Sequence, residues 1–307
     1  MPSLGDAKSF LLLALGAIAV VFVVFLVTEL LRRRRAQAAG GGPVDSDAPT
    51  PGGIVTGFVT NFFDTLGIGS YAPTTSIFRI WKMVPDERIP GTMNIGHTLP
   101  TIVQAFIFTQ LIPVDARTLI LMIAASVAGA WIGAGVVASW PRRAVQVGMG
   151  CALLVASALM FASLLKLMPA GGEALALSGT RLGVAVTVNV VLGALMTLGI
   201  GLYAPIMILI SLLGMNPAAA FPIMMGSCAF LMPVASVRFL RSGRYDPRAL
   251  LGLLTGGLPA VLIAAFVVKA LPLGAVRWLV VIVAVYTAAS LLRTAARERA
   301  TAGVARS

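Results

Sequence analysis

Three polar side chains precede a glycine pair inside an otherwise apolar stretch of this chain. Asn61, Asp64 and Thr65 are spaced i, i+3 and i+4, which places them on one face of a helix. Gly67 and Gly69 follow at once, and two glycines so close together disfavour a continuous helix. Amide, hydroxyl and freed backbone N–H groups at such a break can hold the oxygens of an anion. The pattern therefore predicts an anion-binding site.

The break occurs twice. Residues 65–73, TLGIGSYAP, return 132 positions later as residues 197–205, TLGIGLYAP, with Leu202 in place of Ser70. The similarity continues nearly to the end of the chain, so almost everything after residue 53 is duplicated. Two corresponding hydrophobic segments interrupted by Gly and Pro are the sequence pointer to a transporter's binding site. The alternative is that these glycines only allow helices to pack closely.

We expect the substrate to contact both breaks, with Pro73 and Pro205 in the first turn of each new half-helix. The predicted substrate-binding residues are Asn61, Thr65, Gly67, Gly69, Ser70, Tyr71, Thr74, Thr197, Gly199, Gly201 and Tyr203. No metal-ligand spacing and no cofactor motif accompany them.

Two titratable residues are candidates for proton coupling. Asp64 has Met196 as its counterpart, so this acid is unique to the first copy, and an ionisable group at depth is costly unless it has a role. Capping of a half-helix, or pairing with a basic group, is an equal alternative for Asp64. His97 lies with Asn94 and Thr98 on a polar patch and could titrate near neutral pH, although a packing role is the commoner one for a lone histidine.

Composition identifies the environment of these residues. The chain is 58% hydrophobic and 11% charged, with a mean hydropathy of +0.96, which indicates an all-α polytopic membrane protein. The net charge of +12 comes from basic residues in short loops, where it sets orientation in the bilayer, so nucleic acid is not expected as a partner. Cys151 and Cys228 both lie in apolar runs and predict no disulfide framework.

The predicted organisation has five parts. They are an additional N-terminal transmembrane helix at 1–35, a flexible Gly/Pro linker at 36–53, a first repeat at 54–168, a second repeat at 181–292 and a basic tail at 293–307. Arg32–Arg35 follow the first apolar segment rather than precede it, which predicts a retained anchor with its amino terminus outside the cell. The linker and the carboxyl-terminal tail are then cytoplasmic.

The glycine-broken segments at 54–81 and 181–213 are too long for single straight helices across a core of about 30 Å. If each one is a hairpin that re-enters the membrane, a repeat has three crossings and the two repeats are inverted. If each one crosses, the repeats are parallel. The loop after the first break holds Arg79, Lys82 and Arg88, whereas its counterpart at 211–222 holds no basic residue, and this asymmetry favours inversion.

These features resemble the TauE/SafE family of sulfite and sulfonate exporters. The resemblance rests on the two glycine-rich breaks followed by proline, on VRFLRSGRYDPRALL at 237–251, and on VDARTLILMIAASVAGAWIGAGVVASWP at 114–141, and it covers about residues 54–292. It implies a bacterial inner-membrane permease for small sulfur-containing or other organic anions, without a nucleotide-binding domain.

The expected function is thus a secondary transporter for anions such as sulfite, sulfonates or sulfoacetate, working in export by alternating access. Proton-coupled uptake is the alternative. A membrane-embedded enzyme acting on a lipid is less favoured because the duplicated element is glycine, proline and hydroxyl rather than paired titratable groups. The lipid bilayer is a further expected partner, and a homodimer is left open.

Overall fold

A computed structural model describes residues 4–39, 48–136, 142–165, 172–196 and 202–304, and within these ranges the chain is built from α-helices. In chain order they are α1 (Leu4–Ala39), α2 (Pro51–Thr65), α3 (Tyr71–Ile80), α4 (Ile89–Leu111), α5 (Ala116–Val136), α6 (Arg142–Leu164), α7 (Gly179–Met196), α8 (Tyr203–Leu212), α9 (Ala220–Ser242), α10 (Pro247–Ala270) and α11 (Leu273–Val304).

Several of these helices match the dimensions of a bilayer. Five of those in the described ranges are long and apolar enough to cross a membrane: Ala7–Ala39, Gly179–Met196, Pro217–Ser242, Pro247–Ala270 and Trp278–Arg297. Large apolar side chains remain on the outside, with Trp131 87% and Phe266 69% exposed. Such surfaces suit lipid rather than water. The predicted class, an all-α polytopic membrane protein, is confirmed.

The repeat is also visible in the helices themselves. α3 and α8 contain ten residues each and begin 132 positions apart, and α4 and α9 contain 23 residues each. A short 3₁₀ turn precedes each member of the second pair, at Asp86–Arg88 and Pro217–Ala219. The series α2 to α6 is therefore repeated, in the same order, as α7 to α11.

Helices extend into both ends of the segment 36–53 for which composition predicts a flexible linker. α1 continues to Ala39, because alanine and glutamine are good helix formers, and α2 begins at Pro51. Thr50 caps α2, since its side chain accepts a hydrogen bond from Gly53 N at 3.1 Å. Similarly, α11 continues to Val304, through most of the predicted tail at 293–307.

The chain forms two compact units that do not follow the repeats. The first unit comprises Met1–Leu111 and Cys228–Lys269, and the second comprises Ile112–Ser227 and Ala270–Ser307. Each unit therefore combines the broken helix of one repeat with later helices of the other.

Glycines join the broken helix of the first unit to α10. A Cβ atom at Gly57 would lie 2.6 Å from Leu253 Cα, and one at Gly252 would lie 2.8 Å from Gly53 Cα. A Cβ at Gly256 would overlap the carbonyl oxygen of Ile54. Residue numbers increase in the same direction along both helices from one contact to the next, so α2 and α10 are parallel. Their backbones nearly touch.

The second unit has the equivalent pair in α7 and α5. Cβ atoms at Gly193 and Gly129 would overlap the carbonyl oxygens of Ser126 and Val190, respectively. At the start of the pair, Leu177 N donates to Thr118 Oγ1 at 3.1 Å. α5 and α7 therefore also begin at the same end of their unit.

Candidate functional site

The first helix break is closed by a regular cap. Gly67 has a φ of +92°, a conformation that L side chains rarely adopt. Gly67 N donates to the Asp64 carbonyl at 2.8 Å, and Ile68 N donates to the Phe63 carbonyl at 3.1 Å. This pair of bonds is the Schellman motif, which satisfies carbonyl groups at a helix end. Gly67 therefore ends α2 because this cap needs a residue that adopts a positive φ.

The second glycine leads into the next half-helix. Gly69 has a φ of +88°, and a Cβ there would meet no atom within 4 Å. Ser70 is the N-cap of α3, it is buried, and its side chain makes no capping bond. Pro73 lies in the first turn of α3, as expected for a residue whose φ suits a helix start. Open space thus lies beside the positive end of a helix dipole.

The first hairpin, made of α2 and α3, returns to the end of its unit where it began. A Cβ at Gly52, in the first turn of α2, would lie 3.5 Å from Cε of Met83, which follows α3. α2 and α3 are about 22 and 15 Å long, so neither spans a hydrocarbon core of about 30 Å alone.

The second hairpin, made of α7 and α8, closes in the same way. Asn216 N, just after α8, donates to the Ala174 carbonyl at 2.8 Å, and Ala174 N donates to the Gly214 carbonyl at 3.3 Å. Ala174 lies just before α7, so the entry and exit of this hairpin are also adjacent.

A histidine joins both limbs of the first hairpin to α4. His97 Nδ1 lies 3.1 Å from Asn61 Oδ1, and His97 Nε2 lies 3.1 Å from Thr74 Oγ1. Asn61 Nδ2 donates to the Gly57 carbonyl at 2.8 Å, which leaves Asn61 Oδ1 as the atom that faces the ring. Nδ1 therefore carries a proton, and in the neutral imidazole Nε2 accepts the hydroxyl proton of Thr74. A second proton on the ring would force that hydroxyl to turn away.

An acid lies one turn further along α2. Gln104 Nε2 donates to Asp64 Oδ2 at 3.0 Å and to Thr65 Oγ1 at 2.9 Å. Thr65 Oγ1 in turn donates to the Asn61 carbonyl at 2.7 Å. Through Asn61 these bonds join those of His97, and we call the six residues the polar network: Asn61, Asp64, Thr65, Thr74, His97 and Gln104.

A third set of bonds fixes the start of α3. Asn94 Nδ2 donates to Tyr71 Oη at 3.0 Å, and Asn94 Oδ1 accepts from Ser236 Oγ at 2.8 Å. Ser236 Oγ also lies 2.9 Å from Thr98 Oγ1. α9 thus helps to hold Tyr71, which lies next to Ser70.

The polar network is enclosed. Asn61, Thr65, Thr74, His97 and Gln104 have 0% of their surface exposed and Asp64 has 3%. Buried polar groups are stable only when hydrogen-bonded, so these side chains fix one another in position. A ligand at the break must replace some of these bonds.

The predicted site residues divide into three sets. Asn61, Thr65 and Thr74 come together in the polar network, with Gly67, Gly69, Ser70 and Tyr71 beside it. Tyr203 is the first residue of α8, in the second unit. Thr197, Gly199 and Gly201 lie outside the described residues. Asn189, on α7, donates to the Met122 carbonyl and so connects α7 to α5.

Sequence reasoning missed Gln104 and Ser236. A signal for Gln104 exists: Asn94, His97, Thr101 and Gln104 are spaced by three, four and three residues, which is one face of α4. Ser236 has no such signal because it is 142 positions from its partner Asn94.

This arrangement can be compared with known families. A sequence model described as sulfite exporter TauE/SafE matches residues 4–160, about half of the chain. The chain belongs to the TauE/SafE family. No curated protein and no solved structure was found to match it. Membership in TauE/SafE makes it a membrane protein of an anion-transporter family.

The matched range corrects one expectation about TauE/SafE. The resemblance was expected to start near residue 54, with α1 as an addition before it, but the match starts at residue 4 and includes α1. An apolar helix carries little distinctive sequence, and α1 has no counterpart in the second repeat, so the duplication could not reveal it as part of the TauE/SafE region.

Proposed function

We propose that this TauE/SafE protein is a secondary permease for small sulfur-containing or other organic anions, such as sulfite, sulfonates or sulfoacetate. The observation that carries the proposal is the first break, where open space beside Gly69 adjoins the start of α3 and the buried Ser70. Backbone N–H groups and the positive dipole end favour an anion there. The three diverging oxygens of a sulfonate suit such donors.

The hairpins are the support for alternating access in this proposal. Because each hairpin starts and ends on one side, each repeat contributes three full crossings, α4 to α6 or α9 to α11. An odd number of crossings inverts the second repeat relative to the first in the bilayer. We place the protein in the bacterial inner membrane, with the N-terminus outside and the C-terminus in the cytoplasm.

The polar network links substrate binding to helix movement in this transport cycle. Thr65 and Thr74, which the sequence assigns to substrate, already bond to Gln104 and His97. An incoming anion exchanges these contacts for its own, and exchange at Thr74 releases α3 from α4. Substrate binding is thereby linked to movement of the half-helix that holds the substrate.

Export is the preferred direction. Moving one negative charge out of a cell is favoured by about 2.3 kcal/mol per 100 mV of inside-negative potential, so no coupling ion is required. Proton-coupled uptake is the second candidate, and Asp64 is the reason to keep it. An ionised carboxylate one turn from the break opposes a bound anion, and protonation of Asp64 removes this opposition.

The decisive experiment is flux into proteoliposomes that contain the purified full chain. Sulfite, sulfoacetate, sulfate, a zwitterionic sulfonate and a cation are offered in turn, and both current and labelled uptake are recorded. We expect anion flux in wild type and its loss in Gly69→Leu, because leucine occupies the open space and strains the backbone there. Gly201→Leu, at the corresponding position of the second copy, is expected to have the same effect. Gly148→Leu is the control, since a Cβ at Gly148 would also meet nothing within 4 Å.

The outcomes separate the candidates. Flux that survives both substitutions at the breaks would reject the paired-break site. If no anion gives current or labelled uptake in active preparations, the proposal fails, and conversion of added lipid would then favour the enzyme.

A further substitution separates the two transport modes. Asp64→Asn keeps a side-chain oxygen for Gln104 but removes the charge. If Asp64 couples protons, flux driven by a pH gradient is lost while potential-driven flux remains. An unchanged pH response in Asp64→Asn would remove Asp64 from the coupling role.

A further inference from the structure

Arginines from two distant parts of the chain come together at one end of the first unit. Arg33, in the last part of α1, has its guanidinium carbon 5.6 Å from the ring centre of Tyr245. Arg241, near the end of α9, has its guanidinium carbon 5.8 Å from the ring centre of Phe25. Each arginine thus rests on an aromatic ring of the other segment.

The aromatic rings belong to a packed core. Tyr245 is 3% exposed and packs with Phe22, Leu26 and Leu240, and Phe25 lies against the same cluster. The two guanidinium groups are therefore held at fixed places over rigid rings. Basic side chains that only set the orientation of the protein in the bilayer would not need to be held against aromatic rings.

Positive charge greatly exceeds negative charge in this region. Eight arginines lie on the two segments: Arg32, Arg33, Arg34, Arg35, Arg238, Arg241, Arg244 and Arg248. The carboxylates of the same two segments are Glu29, which pairs with Arg32 at 3.4 Å, and Asp246, which accepts from Ala249 N at the start of α10. The excess of positive charge calls for an anionic partner.

An apolar stripe leads up to these arginines. Val21 and Val24 are three residues apart on one side of α1 and are 67% and 57% exposed. Phe25, the ring on which Arg241 rests, follows Val21 by four residues on the same side of α1. A molecule with an anionic head and an apolar tail fits this order, whereas free phosphate would use only the charged part.

We propose that this end of the first unit is a binding site for the phosphate headgroup of an anionic phospholipid. Arg33 and Arg241 hold the phosphate, and the acyl chains lie along Val21 and Val24, beside Phe25. Basic pockets between membrane helices recognise such headgroups on the cytoplasmic side, which is where the basic segments are expected. The bound lipid joins α1 to the turn between α9 and α10.

The test measures lipid retention by the purified full chain. Protein is placed in nanodiscs of phosphatidylcholine with a minor fraction of phosphatidylglycerol, and native mass spectrometry or a spin-labelled lipid counts the phosphatidylglycerol held. We expect wild type to enrich phosphatidylglycerol, and Arg33→Gln with Arg241→Gln to reduce its affinity by about tenfold or more. Arg117→Gln with Arg143→Gln, two exposed arginines of the second unit, should leave enrichment unchanged.

Three results would overturn the proposal. The first is equal enrichment in wild type and the Arg33/Arg241 variant at matched thermal stability in phosphatidylcholine alone. The second is equal loss in the Arg117/Arg143 control, which would indicate a general charge effect. The third is displacement of the lipid by millimolar inorganic phosphate, which would point to a free anion. None of these readouts depends on transport, so the proposal can fail while the permease function stands.

Discussion

The two hairpins have nearly the same sequence at the break, TLGIGSYAP and TLGIGLYAP, but differ in the side chains of their helices. At the offset of 132 residues, Asn61, Asp64 and Thr74 of the first hairpin correspond to Gly193, Met196 and Ile206 of the second. The first hairpin carries a buried polar network, whereas α8 is lined by buried Ala, Pro, Ile and Met side chains. A helix break therefore does not by itself bring polar chemistry. We expect the first hairpin to choose and couple the substrate and the second to provide backbone contacts.

The same comparison explains a pair of close contacts. A Cβ at Gly257 of α10 would lie 2.9 Å from Asn61 Cγ, and a Cβ at Gly193 of α7 would lie 2.7 Å from Ser126 Cα. Gly193 is the counterpart of Asn61, and Ser126 is the counterpart of Gly257. One partner is glycine in each unit, but it lies on the hairpin in one case and on the supporting helix in the other. Each unit keeps the close approach, and the first also gains an amide.

The largest effect should follow from filling a helix contact that both units need. Gly256→Leu and Gly193→Leu each place a side chain against a backbone carbonyl, and we expect each to cost about 3 kcal/mol or more, or to prevent folding. Fluorescence-detected size exclusion and thermal melting in detergent measure this. Gly148→Leu should behave as wild type. A melting temperature for Gly256→Leu within about 2 °C of wild type would contradict the parallel packing of α2 and α10.

The next effect concerns function. Asp64→Met gives the first hairpin the residue of the second, and we expect anion flux to fall by about tenfold or more because Gln104 loses its acceptor. Flux in proteoliposomes and melting temperature are measured together. Met196→Leu, a change of shape without charge, should leave flux unchanged. Equal losses in the two variants would mean that the hairpins share the chemistry.

A smaller effect should appear where the half-helices end. Lys82 and Gly214 correspond, and both have positive φ, +50° and +88°, at the end of a Schellman motif. Lysine is strained there, so Lys82→Gly should stabilise the protein by about 1 kcal/mol, and Gly214→Ala should destabilise it by a similar amount. Chemical denaturation gives both values. A loss of stability in Lys82→Gly would show that the lysine side chain contributes more than its backbone costs.

The smallest effect on stability should come from a difference between exposed side chains. Arg79 and Asp86 form an ion pair at 3.0 Å beside the first hairpin, while their counterparts Ser211 and Ala218 cannot. Both charged side chains are more than half exposed, at 61% and 67%, so Asp86→Asn should change stability by less than about 0.5 kcal/mol. A larger change in the free energy of unfolding, or one that disappears in high salt, would show that this ion pair stabilises the hairpin.

The parts of the fold that depend on local backbone chemistry could be predicted from the sequence. Gly67 and Gly69 interrupt the helix, and Pro73 lies in the first turn of the next one, because φ preferences act over a few residues. The return of each hairpin could not be decided by length alone, since α2 and α3 together are long enough to cross. The contact between Gly52 and Met83 decides it for the first hairpin.

The candidate site was predictable in its residue types but not in its bonds. Thr65 and Thr74 were expected to face the substrate, and both are bonded to other side chains of the protein. Gln104 reaches Thr65 across 39 positions and Ser236 reaches Asn94 across 142, and no periodic pattern joins residues so far apart. Tertiary packing alone brings these groups together.

Because each unit contains helices of both repeats, the first unit cannot be completed until late in synthesis of the chain. Asn61 and Asp64 enter the bilayer early, but the surface that covers α2 is supplied by Gly252, Gly256 and Gly257, almost 200 residues later. At about 5–20 residues per second, the ribosome needs roughly 10–40 s to make that stretch. During this interval the first hairpin holds its polar groups without their final support. We therefore expect the insertion machinery to shelter this segment until α10 emerges, and a truncated chain that lacks α10 to be degraded rather than to fold.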